Sequence, residues 1–277
     1  MMNPKENVKL VENPLFKQVT QKRFVLYLDI MGFKDRVAKV DIAELRDMLL
    51  QFQDKNIKLD PLLYSTRKIK GVTSRKPLLK MSQFSDSIVV VSGGDTLEDL
   101  NKILKAGVIL MQVGLQTGFA LRGALSFGEM VYNDKRQLFF GQALVDAYLI
   151  EESLNCYGVV FHESVESQLQ KMKESAYFVK DNPQKDKTYL PILNDKLIFK
   201  GGKSTHYHLA WYAMKDDLSM GNMTDDAKKW LNNLRSTVSG NPRVYLDNTL
   251  ALIEEYAEYA NNVEKEQQEL DDVQGEE

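Results

Sequence analysis

Between Arg23 and Lys34 the chain runs apolar through Phe24-Val25-Leu26-Tyr27-Leu28, meets an acid at Asp29, and turns through Gly32. A β-rich apolar run of this kind predicts a buried strand that delivers a carboxylate to its C-terminal end. From Lys34 to Lys55 the period lengthens, with Val37, Val40, Leu45, Met48, Leu49 and Phe52 at helical spacing. A polar, basic stretch from Asn56 to Lys76 leads into two β-rich runs that meet at Ser85-Asp86, which predicts a hairpin with an acid at its tip. Thr96-Leu97-Glu98-Asp99 opens a helix that runs to about Gly114. Gly118 to Gly128 reads as a strand, Asn133-Asp134 as a turn and Leu138-Phe139-Phe140 as the return.

The order βαββαββ predicts an α+β fold of ferredoxin-like, palm-type arrangement, an antiparallel sheet with helices on one face. Further helices are expected at Gln142 to Leu154 and Glu163 to Lys173, with the strand Gly158-Val159-Val160-Phe161 between them. Two late strands, Leu197 to Phe199 and His206 to Tyr212, and two final helices, Thr224 to Ser236 and Arg243 to Asn262, complete the pattern. The expected division is an N-terminal extension (1–22), a catalytic domain (23–215), a helical appendage (216–263) and a disordered acidic tail (264–277). No internal repeat is visible.

The 277 residues, 43% of them hydrophobic, suffice for one full core with an appendage. A net charge of −3 lacks the concentrated basic surface that a nucleic-acid polymer demands, so any phosphate ligand is expected to be small and metal-neutralised. No apolar run approaches the roughly 20 residues of a membrane span, and Met1 to Glu6 lacks a signal-peptide core, which predicts a cytoplasmic protein with no membrane partner. A single cysteine, Cys156, excludes an internal disulfide framework and a cysteine-based zinc site.

Asp29 and Asp86 are the candidate chemistry. Either acid alone reads equally well as a helix cap or a turn residue. Carboxylates at the ends of adjacent strands, however, can hold a pair of divalent cations, and Gly32 lets the next amides point at an anion.

The ordered set Phe24-x-x-Tyr27-x-Asp29-Ile30-x-Gly32-Phe33, then Phe84-Ser85-Asp86-Ser87, then Arg122-Gly123-Ala124-x-x-x-Gly128-Glu129 resembles the signature of class III nucleotidyl cyclases. The resemblance covers roughly Arg23 to Val165. The segment Gly141-x-Ala143-x-x-x-Ala147-Tyr148-x-x-Glu151, with Arg243-Val244-Tyr245 in the terminal helix, is similar to the bacterial pyrimidine cyclases of the Pycsar anti-phage systems. The resemblance implies two Mn²⁺ or Mg²⁺ ions on Asp29, Asp86 and the Ile30 carbonyl. It implies phosphates cradled by the amides of Met31, Gly32 and Phe33, and a homodimer whose active sites lie between subunits. A separate effector would bind the cyclic nucleotide.

Departures from that pattern bear on substrate. Purine-using members of the family carry a lysine four residues before the second metal aspartate, where this chain has Ser82, with Lys80 on the same strand face. The asparagine and arginine of the following helix are replaced by Val145 and Leu149, leaving Arg122 as the candidate source of transition-state charge. The vacant purine-reading set fits a pyrimidine enzyme, UTP to cyclic UMP first and CTP to cyclic CMP second. It also fits a degenerate module that binds nucleotide without turnover. A palm-type enzyme acting on a polynucleotide is disfavoured by the acidic charge. Other motifs fall away on geometry. Gly93-Gly94-Asp95 precedes a helix cap, and Gly202-Lys203-Ser204 lacks the earlier P-loop glycine, which is Leu197. Lys200 reads as a strand-end surface lysine, and His162, His206 and His208 form no ligand cluster.

Overall fold

The computed structural model describes residues 8–10, 21–69, 72–133, 136, 138–182, 184–214 and 223–275. In chain order these form β1 (Val8–Leu10), β2 (Gln21–Ile30), α1 (Phe33–Lys39), α2 (Ile42–Lys55), a 3-10 turn (Asn56–Leu59), α3 (Asp60–Leu63), β3 (Tyr64–Ile69) and β4 (Val72–Pro77). There follow β5 (Leu79–Phe84), β6 (Ser87–Ser92), α4 (Leu97–Gln116), β7 (Leu121–Asn133), β8 (Leu138–Phe140), α5 (Gln142–Ser153), β9 (Val159–Phe161) and α6 (Glu163–Met172). The chain ends with β10 (Ala176–Tyr177), β11 (Thr188–Tyr189), β12 (Ile192–Phe199), β13 (Gly202–Leu209), α7 (Thr224–Leu234) and α8 (Asn241–Gly275).

The main sheet runs β12-β13-β9-β7-β2-β6-β5, with β8 paired to β7. Its β7-β2-β6-β5 half is antiparallel throughout, which with the βαββαβ order is the ferredoxin-like arrangement. The sheet as a whole is mixed, because β9 joins β7 in parallel. That pairing follows from the α5 crossover, which returns the chain in its original direction. At Gly123 a Cβ would collide with the Tyr27 carbonyl, and the Gly123 amide donates to Gly158 O at 2.8 Å, so β2, β7 and β9 close up around a residue without a side chain.

Alternation along β2 sends Phe24, Leu26, Leu28 and Ile30 into the principal core beneath α2 and α4. Val25 and Tyr27 face the other way, into smaller clusters with Ala143 and Ala147 of α5. The sequence pattern predicts helices on one face, whereas α5 covers part of the second. Two of its three buried residues, Ala143 and Ala147, are small, which lets it lie close on β7. Arg23 is buried at the start of β2, and its guanidinium donates to the carbonyls of Ser92 and Gly93 at 2.9 Å each. Gly93 is thereby a structural acceptor beside the helix cap, and Thr96 and Asp99 form the capping box of α4.

Three expectations need revision. The apolar run from Lys34 to Lys55 is two helices, because Asp41 caps α2 by accepting from the amides of Ala43 and Glu44. The polar stretch after Asn56 contains the β3-β4 hairpin, which with β1 makes a second sheet. The acidic segment from Glu264, expected to be irregular, continues α8 to Gly275, a run rich in the good helix formers Glu, Gln, Lys and Leu. The C-terminal helices also share the main core, to which Ala227, Leu231, Leu246, Leu250 and Ile253 belong. Thr249 and Asn248 of α8 bond the backbone of Tyr157 and Asn155 just before β9. Cys156, in the connection between α5 and β9, is buried, its thiol pushed up to about 12 by that burial.

Candidate active site

The sheet register brings the two predicted acids together. Asp29 pairs across β2-β6 with Ser87, the residue after Asp86, and across β2-β7 with Arg122. The Ser85-Asp86 turn is tight, with Ser85 at φ 54°, and the Asp86 carbonyl accepts from the Ile30 amide at 2.8 Å. In a strand a residue's amide and carbonyl face the same neighbour, so the Ile30 carbonyl also faces the Asp86 turn. Burial first, and then the Asp86 charge, push the Asp29 carboxyl above its ordinary range, while Arg122 and Lys34 pull it back. Two half-buried carboxylates that repel one another, with a backbone carbonyl on the Asp86 side of the strand, offer an all-oxygen donor set suited to hard cations such as Mg²⁺ or Mn²⁺. Among the described residues no group of three His, Cys, Asp or Glu side chains could hold a metal, so any ion here would rest on two carboxylates and backbone oxygen.

Arg122 departs from its expected role. Its Nε donates to Glu151 Oε1 at 2.5 Å and its Nη1 to the Leu154 carbonyl at 3.1 Å, and it is only 7% exposed. The guanidinium also lies 5.4 Å from the Tyr245 ring. A guanidinium committed to these partners inside the protein is not free to meet a transition state. It instead sets the charge behind Asp29. Glu151 is raised by burial and lowered by Arg122, and Asp29 adds repulsion, so two acids share one buried arginine. Tyr27 lies on the same face two residues before Asp29, with its hydroxyl 3.0 Å from Ser87 Oγ and its ring edge-on to Tyr148 of α5 at 5.7 Å. Glu151 and Tyr27 both stand in the motifs already quoted, yet neither received a role from sequence. The alternation of β2 points to Tyr27; nothing local points to Glu151, whose partner is 29 residues away.

The turn after Asp29 supports part of the expected phosphate cradle. Gly32 adopts φ 72° and precedes α1, with open space where a Cβ would stand. The Met31 amide, however, donates to the Ala120 carbonyl at 2.9 Å, which removes it from the cradle and leaves Gly32 and Phe33. Lys34, exposed in the first turn of α1, contributes positive charge at Asp29 and was not singled out from sequence.

Ser82 sits on β5 opposite Val89, on the sheet face that carries Tyr27 and Asp29. Strand spacings place it about 7 Å along and about 10 Å across from Asp29. Its hydroxyl is 2.8 Å from Tyr132 OH, and Lys80 Nζ lies 5.9 Å from the Tyr132 ring. Phe84, opposite Ser87, is 85% exposed beside the acid pair. Val145 and Leu149 project outward from α5, exposed. Gly202-Lys203-Ser204 begins strand β13 rather than a helix, so it is no P-loop. The histidines are dispersed: His162 caps α6, His206 lies 3.5 Å from Glu166, and His208 lies 3.3 Å from Asp195.

No family model matches the chain, and no curated protein matches it in sequence. Among solved structures, the guanylate cyclase domain of RhGC from Catenaria anguillulae in complex with GTP is 12% identical, with a TM-score of 0.44 over 68% of this chain and 96% of that one. The adenylyl cyclase CyaB from P. aeruginosa is 13% identical, with a TM-score of 0.41 over 72% and 99%. A dimeric guanylyl cyclase domain of the RhoGC fusion protein from Blastocladiella emersonii is 12% identical, with a TM-score of 0.43 over 68% and 94%. Likeness at this level leaves the chemistry to be read from the residues themselves.

Proposed function

We propose that this chain is a metal-dependent nucleotidyl cyclase that converts UTP to 3′,5′-cyclic UMP and diphosphate. The observation that carries the reading is the placement of Asp29 and Asp86 at adjoining strand ends with the Ile30 carbonyl turned toward them. Asp29, Asp86 and that carbonyl would hold two Mg²⁺ or Mn²⁺ ions, which when bound lower the pKa of the ribose 3′-hydroxyl and neutralise the triphosphate. In the reaction the 3′-oxygen bonds to the α-phosphorus as the bond to the bridging oxygen breaks. Pyrophosphate leaves with the electron pair, and the hydroxyl proton passes to solvent.

Such chemistry asks the protein chiefly for positioning and charge. The amides of Gly32 and Phe33, with Lys34 behind them, are assigned to the phosphates. Arg122 opposes the upward shift that burial and Asp86 impose on Asp29, and Glu151 keeps Arg122 in place. Base choice is assigned to Ser82 with its partner Tyr132, a pair of hydroxyls that can accept from the uracil N–H and donate to a carbonyl. A base that mismatches this part-buried polar pair leaves a group unsatisfied at about 1–3 kcal/mol. Ser82→Ala is therefore expected to lower the ratio of UTP to CTP turnover efficiency roughly tenfold. An unchanged ratio moves base reading to Lys80 or to the Asn56 to Lys76 segment.

A homodimer is part of this reading on the strength of the resemblance, and the exposed apolar side chains of Phe84, Val145 and Leu149 support it. A place in anti-phage signalling, with a separate effector that binds the cyclic product, rests on the Gly141 to Glu151 motif. The second reading, a degenerate nucleotide-binding module, draws on Val145 and Leu149. The discriminating experiment is Mn²⁺-dependent pyrophosphate release from each of the four ribonucleoside triphosphates, with Asp29→Asn as control. Release from UTP in wild type alone supports cyclisation, and nucleotide binding without release supports the module.

A further inference from the structure

Beside the Met31-Gly32 turn lies a cavity of about 400 Å³, lined by α1, α2 and the connection between α7 and α8. Neither Asp29 nor Asp86 lines it. Its deep wall is apolar, with Met48, Ala120 and Leu234, and is interrupted by one cation, Arg36. The Arg36 guanidinium lies 5.1 Å from the Phe119 ring, donates to the Gly118 carbonyl at 2.6 Å and meets Met48 Sδ at 3.9 Å. No carboxylate is among these contacts. Asp35 and Lys39, on the exposed rim, pair with one another at 3.8 Å, and Glu44 is exposed on α2.

Burial lowers the Arg36 pKa, as expected for a charge withdrawn from water, and among the described residues no carboxylate forms an ion pair with it. Such a charge is costly to keep and is relieved by an anion. Beside it the Tyr157 hydroxyl donates to the Pro242 carbonyl at 2.9 Å and keeps an acceptor lone pair, while burial holds it as a neutral phenol, pushed up to about 12. Val238 also lines the cavity. A half-buried cation beside an apolar wall, with Asp35, Lys39 and Glu44 exposed at the rim, suits a ligand with an anionic end and a flat, weakly polar body, and the volume lies within the range of small-molecule sites.

We infer that this cavity binds a small organic anion of mononucleotide size, with Arg36 taking its phosphate and Met48, Val238 and Tyr157 its body. Met31 and Gly32 form the near wall, so the ligand bears directly on the turn that follows Asp29. The inference goes beyond the cyclase reading and does not depend on turnover.

The test is calorimetric titration of the full chain in EDTA with uridine 5′-monophosphate, 3′,5′-cyclic UMP and inorganic phosphate. Expected is saturable binding of at least one nucleotide to wild type, weakened tenfold or more by Arg36→Gln and by Val238→Trp, which fills the slot, and unchanged in Asp29→Asn. If Arg36→Gln does not fold, Val238→Trp decides alone. The inference is overturned if neither nucleotide binds, if inorganic phosphate binds as tightly, if folded Arg36→Gln or Val238→Trp binds like wild type, or if Asp29→Asn loses the binding. A chain that binds the nucleotide through Arg36 yet releases no pyrophosphate from any triphosphate would retain this site while losing the cyclase reading.

Discussion

At the scale of single residues, Asp29 and Glu151 make competing demands on the same arginine. Asp29 is raised by burial and by Asp86, so replacing it with asparagine removes repulsion rather than support. Asp29→Asn and Asp86→Asn are each expected to reduce cyclisation at least 100-fold while changing stability by less than about 1 kcal/mol, as read by turnover and thermal unfolding. Near-normal turnover in either variant at saturating Mn²⁺ would remove the two-acid assignment. Glu151→Ala should behave differently, because it strands Arg122 inside the protein. A loss of about 3 kcal/mol in denaturant unfolding is expected, and stability within about 1 kcal/mol of wild type would show that Glu151 does not hold the arginine. Asp29 and Asp86 were legible because each interrupts an apolar pattern at a strand end. The Arg122–Glu151 pair was not, since the packing of α5 on β7 creates it.

Among the elements, the helices with strong start signals were the most legible. Thr96 and Asp99 announced α4, and Gly240 with Pro242 separated α7 from α8. The parallel entry of β9 beside β7 was hidden, because three buried residues carry no sign of direction. The β12-β13 hairpin offers a test of its own. Asp195 is pushed up by burial, but bonds from His208 and Lys180 outweigh that and bring its carboxyl to about 2. An acid lowered on folding lends stability above its unfolded pKa and loses it as pH falls through the folded value. The hairpin should therefore lose about 2 kcal/mol of support between about pH 4 and pH 2. Chemical denaturation of wild type and Asp195→Asn at pH 6 and pH 3 should show their stability difference shrinking toward the lower pH. A constant difference would contradict the pairing.

For the whole molecule, the ferredoxin-like order was readable from the succession of elements, whereas the second sheet and the integration of α7 and α8 into the core were not. The polar β3-β4 hairpin lacks an apolar period, and the faces of the last helices are matched only in three dimensions. The open sheet face beside α5 predicts that subunits meet there. Leu149→Glu, which places a charge on the exposed side of α5, should shift sedimentation toward monomer and lower specific activity in parallel at low protein concentration. Full activity from a monomer would contradict a shared site. The central claim, that two acids on adjoining strands close a pyrimidine nucleotide on itself, is met most directly by identifying the product. Purified chain is incubated with UTP and Mn²⁺, and the nucleotide product is separated and assigned by mass and phosphorus NMR. The account predicts 3′,5′-cyclic UMP with one pyrophosphate per turnover, absent from Asp29→Asn. Linear UMP, UDP, or no product from any of the four triphosphates would contradict it.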